Sequence, residues 1–530
     1  MLKAIKIGAK DNVAVVLQSV NPGDQVQVVE TGEVYQAAEF IKAGHKMALQ
    51  AFSQGDTVIK YDIPIGKMKA ACPVGGWIHC HNVEDTTAQL CSGYCEQYRE
   101  AAKEGKLQPK QGAAVKPSRT IMAYPRSNGQ FGINNYIMVF PTCVGANAMA
   151  EALCGRCSAG WMVCDKEFLH DGRISEFTQM VISKTAQNPN IYGALIVGQP
   201  DEEDMNRRIA DEIRANGTKA AYLEVEFGVS GIALEEGLGI LKTWEQEAKA
   251  LKREPVSMAG FTMAVHCGGS DWTTALSGNP TLGVAADYIV EQGGFVVMDE
   301  WGGLPGSEHI LAENAVTPEV GLELIDKVLL TRERYIRDTG APVEASNPIP
   351  ENKEGGITTL VEKSTGNIKK AGSTGLQGVL PIATRPTTPG VYVQDQPCGG
   401  PSATAVYLAM AGCHLNVFVT GVGIMYYELP HMMTIRLTGN PETFRDHEQE
   451  YKLDFNAGVV IDGKPMQEAG KDLFEYIIAV AEGREIPKSE VDKLNYYCMY
   501  YYENGIEDTP YYYIQNYREQ MKMQADRKKA

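Results

Sequence analysis

No window of this sequence approaches the ~18 uninterrupted apolar residues that a membrane-spanning helix needs, so no membrane partner is expected. The opening residues, MLKAIKIGAKDNVAVVL, alternate and carry charge; they predict a strand rather than a secretory signal. Basic residues are in deficit, 49 Lys and Arg against 66 Asp and Glu, which leaves a net charge of −17. That field repels phosphate backbones, and no basic stretch interleaved with aromatics offsets it, so no nucleic acid partner is expected. The 12 cysteines are scattered, and a chain of 530 residues needs no disulfide staples, which points to a cytoplasmic protein. Internal repeats, low-complexity tracts and a complete GxGxxG are all missing. Gly421-Val422-Gly423 is half of a dinucleotide fingerprint, so NAD is not expected.

What is present is an ordinary globular composition, 44% hydrophobic and 22% charged, in a chain long enough for about three domains. Residues 1–98 read as a small β-domain: short alternating stretches such as VAVVLQSV and QVQVVE are separated by turns, and a trailing helix runs from Thr86 to about Lys103. Residues 99–118 are polar, hold two prolines and lack periodicity, as a linker does. From 119 the pattern changes to short buried runs followed by helical stretches, among them YIMVF at 136–140, YGALIVG at 192–198, FTMAVHC at 261–267 and FVVMDE at 295–300. That alternation predicts βα units and mainly parallel sheets in two α/β lobes, 119–340 and 341–530, divided near APVEASNPIPENKEGG. The tyrosine-rich stretch from Tyr496 onward carries no readable function.

Four constellations can carry chemistry. In Trp77-Ile78-His79-Cys80-His81-Asn82, histidines at i and i+2 of a strand would share a face, about 7 Å apart, and reach one metal ion or one substrate; two merely packed histidines are the alternative. His266-Cys267-Gly268-Gly269-Ser270-Asp271 follows a buried run; its glycines allow close backbone approach, and Ser-Asp can cap a helix whose N-terminus favours a carboxylate. Cys267 there is either a thiolate ligand or an inert buried thiol. The run from Asp299 through Glu300, Glu308 and His309 suits metal or hydroxyl ligation, or is a glycine-rich turn with capping acids. The stretch from Asn352-Lys353 through Gly355-Gly356 to Glu362-Lys363 sets lysines around a Gly-Gly turn, as a carboxylate-binding element would. Cys154 and Cys157 sit on an apolar helical pattern with no second CxxC, and Cys91 and Cys95 fall one helical turn apart; both pairs read as packing.

Taken in order, these elements resemble the altronate/galactarate dehydratase family. The resemblance rests on W-x-H-x-H-N at 77–82, Cys267–Asp271 with Asn279-Pro280, Glu300 with Glu308-His309, and Asn352-Lys353 with Gly355-Gly356. Glu362-Lys363-Ser364, Thr420-Gly421 with Gly423, Asn440, and Asp454 with Asn456 and Gly458 extend it over most of residues 60–485. It departs where Val422 replaces a usual Arg and where Arg436 takes the slot of a usual Lys. The resemblance implies an N-terminal β-clip (SAF-like) module and a two-lobed catalytic part. It implies a homo-oligomeric, metal-dependent lyase that removes water from a hydroxylated sugar acid; release of sulfite from a sulfolactate-like acid is the alternative, and a non-catalytic binding paralogue a further one.

The same resemblance implies Fe2+ or Mn2+, with Mg2+ or Ca2+ as variants, and no iron–sulfur cluster. Its expected metal ligands are His79, His81, Cys267, Glu300 and Glu308. His79, His81, Lys353, Glu362 and Lys363 are the expected catalytic residues; Asn82, Ser270, Asp271, Asn352, Gly355, Gly356 and Arg436 are expected to bind substrate.

Overall fold

The computed structural model describes residues 1–164, 172–200, 204–226, 228–299, 301–396, 401–424, 428–491 and 497–498. Glu300, expected among the metal donors, lies outside these residues, as does the tail beyond Cys498.

The first 85 residues form a β-domain of two small sheets. One orders Val34–Gln36, Gln25–Val28, Leu2–Ile5, Val13–Val16, Lys46–Ala48 and Trp77–Ile78; the other orders Thr57–Lys60, Ile63–Met68 and Val83–Glu84. Strand Val13–Val16 is buried at every residue because it serves two cores. Val13 packs with Phe52, Val58 and Ile65, while Ala14 and Val16 pack with Val26 and Ile41, the period-two alternation of a strand. The hairpin Thr57–Lys60/Ile63–Met68 turns through Tyr61 and Asp62, at φ 62° and 65°. Positive φ at both central residues matches the twist of a two-residue hairpin, but at tyrosine it is a strained choice.

Helix Thr87–Lys103 carries the chain onto the larger part, burying Cys91, Cys95 and Tyr98 along one stripe. Of the expected linker, 99–103 complete this helix, and 104–118 have no regular element yet run docked along the lobe, Lys110 N–H donating to Ala315 O and Lys116 N–H to Glu291 O at 3.0 and 2.7 Å. Beyond it lie two parallel sheets. The first orders Lys219–Glu224, Ile191–Gly198, Tyr136–Pro141, Gly160–Val163 and Tyr497–Cys498. The second orders Leu376–Pro381, Gly390–Asp395, Phe295–Met298, Thr262–Cys267, Leu415–Thr420, Met433–Thr438 and Phe455–Asn456. This seven-stranded sheet takes strands from both sides of residue 340, so the backbone pairing does not divide the chain there as expected; apart from Tyr497–Cys498, the first sheet's strands end at Glu224 and the second's begin at Thr262.

Strand order reverses direction between Thr262–Cys267 and Leu415–Thr420, and a parallel sheet opens its ligand crevice beyond the carboxyl ends at such a point. Residues Cys267–Asp271 and Thr420–Val422 meet there, Gly421 and Val422 N–H both donating to Gly269 O at 3.0 Å.

The β-domain seats against this crevice through glycine. A Cβ on Gly356, at φ +89°, would collide with the Gly44 carbonyl oxygen, and one on Gly44, at φ +82°, with the Trp272 indole. Gly356→Ala therefore forces the seam apart while straining its own backbone, and a loss of about 2–4 kcal/mol is expected. Denaturant unfolding measures it; wild-type stability in that variant would contradict the close seating described.

Candidate active site at the seam

Helix Leu360–Asn367 carries two of the expected residues to the seam. Its first turn is held from both domains: Thr359 accepts Glu362 N–H and donates to Ile65 O at 2.6 Å, and Asp85 accepts Leu360 N–H at 2.8 Å. Glu362, thus placed, meets two lysines of the β-domain. Lys46 Nζ lies 2.9 and 3.0 Å from its two oxygens, Lys60 Nζ lies 2.7 Å from Oε1, and Thr358 N–H donates to Oε2 at 2.8 Å. All three charged side chains are buried. Lys46 also donates to Gly356 O at 2.7 Å.

Burial alone would raise the Glu362 carboxyl, but Lys46 and then Lys60 overcome it and hold it at about 2. Burial draws Lys46 down to about 8 against the pull of Glu362, with Lys60 adding repulsion. Lys369 is also lowered to about 8, first by burial and then by the Lys60 charge. Lys60 and Lys369 both approach the Tyr61 ring, at 4.8 and 4.7 Å from its centroid, close enough for cation–π attraction. Lys363 reaches Asn347 Oδ1 at 2.8 Å and Asn352 Oδ1 at 3.1 Å.

Lys60, Tyr61, Ser270, Glu362, Lys363 and Asn367 line a small recess. Asp271 and Trp272 belong both to this recess and to a wider cleft of about 850 Å³, lined further by Lys42, Gly355, Asn440 and Asn456. That volume falls within the range of small-molecule sites.

The expected histidines stand near this cluster in a geometry other than the one anticipated. Strand Trp77–Ile78 stops short of them, because Asn82 closes a turn, its Oδ1 accepting His79 N–H at 2.9 Å and its Nδ2 donating to Trp77 O at 2.8 Å. His79 stacks on Trp77 at 5.5 Å and His81 packs on it at 4.7 Å, so they share an indole rather than a strand face. His79 Nδ1 lies 3.1 Å from Thr358 Oγ1, which joins it through Thr358 to Glu362. Burial, then Lys46 and His45, lower His79 to about 3, so it is neutral at physiological pH. His45, which the sequence reading passed over, accepts from Trp77 Nε1 at 3.2 Å and sits 3.1 Å from Glu354 O, a pattern that fixes its proton on Nε2.

Several expected substrate ligands make hydrogen bonds within the protein. Asn82 closes the turn above. Asp271 caps the following helix, accepting from Thr273 N–H and Thr274 N–H at 2.9 and 3.1 Å and from Asn440 Nδ2 at 2.9 Å. Asn352 donates to Ser270 O at 2.8 Å; Gly355 O accepts Trp272 N–H at 2.9 Å, and Gly356 O accepts Lys46. Arg436 is fully buried against Glu428 at 2.7 Å and Ile424 O at 2.8 Å, so its charge is already committed inside the lobe. Lys353, expected among the catalytic residues, lies near Cys80, whose thiol feels its charge.

The four expected metal donors among the described residues stand apart. His79 and His81 flank Trp77, Cys267 Sγ faces Asn367 Oδ1 at 3.3 Å, and Glu308 faces Cys95 at 3.6 Å. Among the described residues, no three of these donors come within ligating range of one another. At the carboxyl ends of neighbouring strands the structure adds a pair not bet on from sequence, His266 Nδ1 to Asp299 Oδ2 at 2.6 Å, with His266 Nε2 buried and unpartnered.

Neutralising Glu362 leaves two buried lysines without their counter-charge. Glu362→Gln is expected to cost roughly 3–5 kcal/mol of stability in urea unfolding at pH 7; a change below about 1 kcal/mol would show that the cluster is solvated.

Comparison with known proteins agrees with this architecture. Family profiles described as "Altronate/galactarate dehydratase SAF domain", "D-galactarate dehydratase/Altronate hydrolase, second domain" and "D-galactarate/Altronate dehydratase, C-terminal" match residues 2–86, 123–249 and 258–504. The chain is 28% identical over 506 residues to the altronate dehydratase of Bacillus subtilis, covering 93% of this chain and 97% of that one. It is 29% identical to the Escherichia coli altronate dehydratase, covering 91% and 96%. To the (2R)-sulfolactate sulfo-lyase subunit beta of Chromohalobacter salexigens it is 30% identical over 374 residues, 69% of this chain and 93% of the subunit. With a SAF domain seated on two parallel-sheet regions and the family's profiles matched in order from residue 2 to residue 504, this chain belongs to the altronate/galactarate dehydratase family.

Proposed function

We propose that this chain dehydrates a hydroxylated sugar acid in the cleft at the seam, giving a 2-keto-3-deoxy acid. The observation that carries this reading is the local excess of positive charge. Lys46, Lys60, Lys363 and Lys369 stand against three carboxylates, Glu362, Asp271 and Asp11, in a protein of net charge −17. Buried charge is costly, and a surplus of lysine beside a cleft of about 850 Å³ suits an anionic ligand.

In this scheme the substrate carboxylate sits against Lys60 and Lys363. His79, neutral and oriented by Thr358, takes the C2 proton, and the enediolate that forms is stabilised by the lysines. Hydroxide leaves C3 with a proton from His81, so that one water departs, and the enol tautomerises to the keto acid. The C2 proton is weakly acidic, so the charge opposing the enediolate matters more than the strength of the base. The donors expected for iron or manganese do not fit one ion among the described residues, and the scheme runs through side chains alone.

Incubation with altronate, galactarate, other aldonates and sulfolactate, with and without Fe2+ or Mn2+, tests the reading. A 2-keto acid from a sugar acid is the expected product. Sulfite from sulfolactate would move the chain to the chemistry its sulfo-lyase relative is named for, and silence across the panel would refute the scheme.

The pH dependence has a definite sign. Lys46 and Lys369, both lowered to about 8, lose their charge as pH rises through that value, whereas a substrate carboxylate is ionised throughout. KM is expected to hold steady from about pH 6 to 7.5 and to rise several-fold by about pH 9.5; a flat KM over that range would remove these lysines from substrate binding.

A further inference from the structure

A buried group of thiols and one carboxylate lies outside the seam chemistry. Cys91 and Cys95 stand one turn apart on helix Thr87–Lys103, so their side chains project from one face. Glu308, wholly buried, opens helix Glu308–Glu313, and Cys95 Sγ lies 3.6 Å from its Oε1. One donor atom from each of the three lies within 4.8 Å of the other two, the only such set of three or more His, Cys, Asp and Glu among the described residues. Glu308 Oε2 accepts Gly306 N–H at 2.5 Å, so one carboxylate oxygen serves the turn while the other faces the thiols. Arg332, bidentate to Glu344 at 3.0 Å, is near enough to feel both Cys91 and Glu308. His309, next after Glu308, stacks on Tyr94 of the same helix at 3.8 Å with its Nδ1 buried and unpartnered, a further nitrogen donor on these two elements.

We propose that Cys91, Cys95 and Glu308 bind one thiophilic divalent ion, zinc or ferrous iron, that ties the helix leaving the β-domain to the lobe. Two thiolates and a carboxylate carry three negative charges; a divalent ion leaves one, beside the Arg332–Glu344 pair. Thiolate donors select zinc or iron over magnesium or calcium. Tetrahedral bonds of roughly 2.3 Å place ligand atoms about 3.7 Å apart, so the cluster closes by about an ångström when it binds, and two thiol protons are released. The ion sits in packed core rather than in the cleft, so its role is structural, and the inference does not depend on which acid the cleft takes.

The test uses the whole chain, stripped with a chelator and titrated anaerobically with Co2+. One equivalent should bind with a thiolate-to-cobalt charge-transfer band in the near ultraviolet, and Zn2+ should displace it. Cys91→Ser and Cys95→Ser should each weaken or abolish the band, whereas Cys154→Ser should keep it. Zn2+ should also raise the Tm of the stripped wild type. A wild-type protein that gives no sulfur-to-cobalt band would overturn the proposal whatever the variants do, and so would a band that survives in the Cys91→Ser/Cys95→Ser double variant.

Discussion

Glu362 holds two domains together by holding two charges that neither domain could bury alone. Lys46 and Lys60 come from separate strands of the β-domain and both end on its carboxylate. A buried ion triplet has little tolerance for misplacement, because each lysine left unpaired would forfeit several kcal/mol of solvation. The surrounding structure reads as the apparatus that keeps it in register. Thr359 and Asp85 fix the first turn of the Glu362 helix, the Gly44–Gly356 contact sets the spacing of the seam, and the strained turn at Tyr61 aims the hairpin that carries Lys60.

The same triplet concentrates lysines at one place in a strongly acidic protein. Lys60 and Lys363 line the recess with Glu362 and Asp271, while Lys46 pairs with Glu362 and Lys369 lies near Lys60. Screening by bulk solvent is weak in such a place, so a few lysines decide the local potential whatever the net charge of the chain.

Most of the fold was legible in the sequence. The apolar runs at 136–140, 192–198 and 261–267 are buried parallel strands, whose two covered faces leave no polar alternation. Strand pairing crosses the expected lobe boundary near 340, because a proline-rich stretch marks a loop, and loops do not reveal which strands pair around them. In the site, Glu362 and Lys363 could be singled out from their motif, but Lys46 and Lys60 lie some 300 residues earlier in partners no local pattern connects. A signal did exist: Lys60 occupies the buried phase of its strand with Val58, where an apolar residue belongs. His79 and His81 were placed on one strand face because alternation was extended past Ile78, although Asn82, a turn-forming residue, marks the end of the strand.

The most direct test is a structure of the chain with an unreactive sugar-acid analogue bound. The account predicts a carboxylate at the seam, within about 3 Å of Lys60 or Lys363, and the remaining hydroxyls toward the wider cleft. An analogue bound instead beside His266 and Asp299, with the lysine recess left to its internal ion pairs, would contradict it.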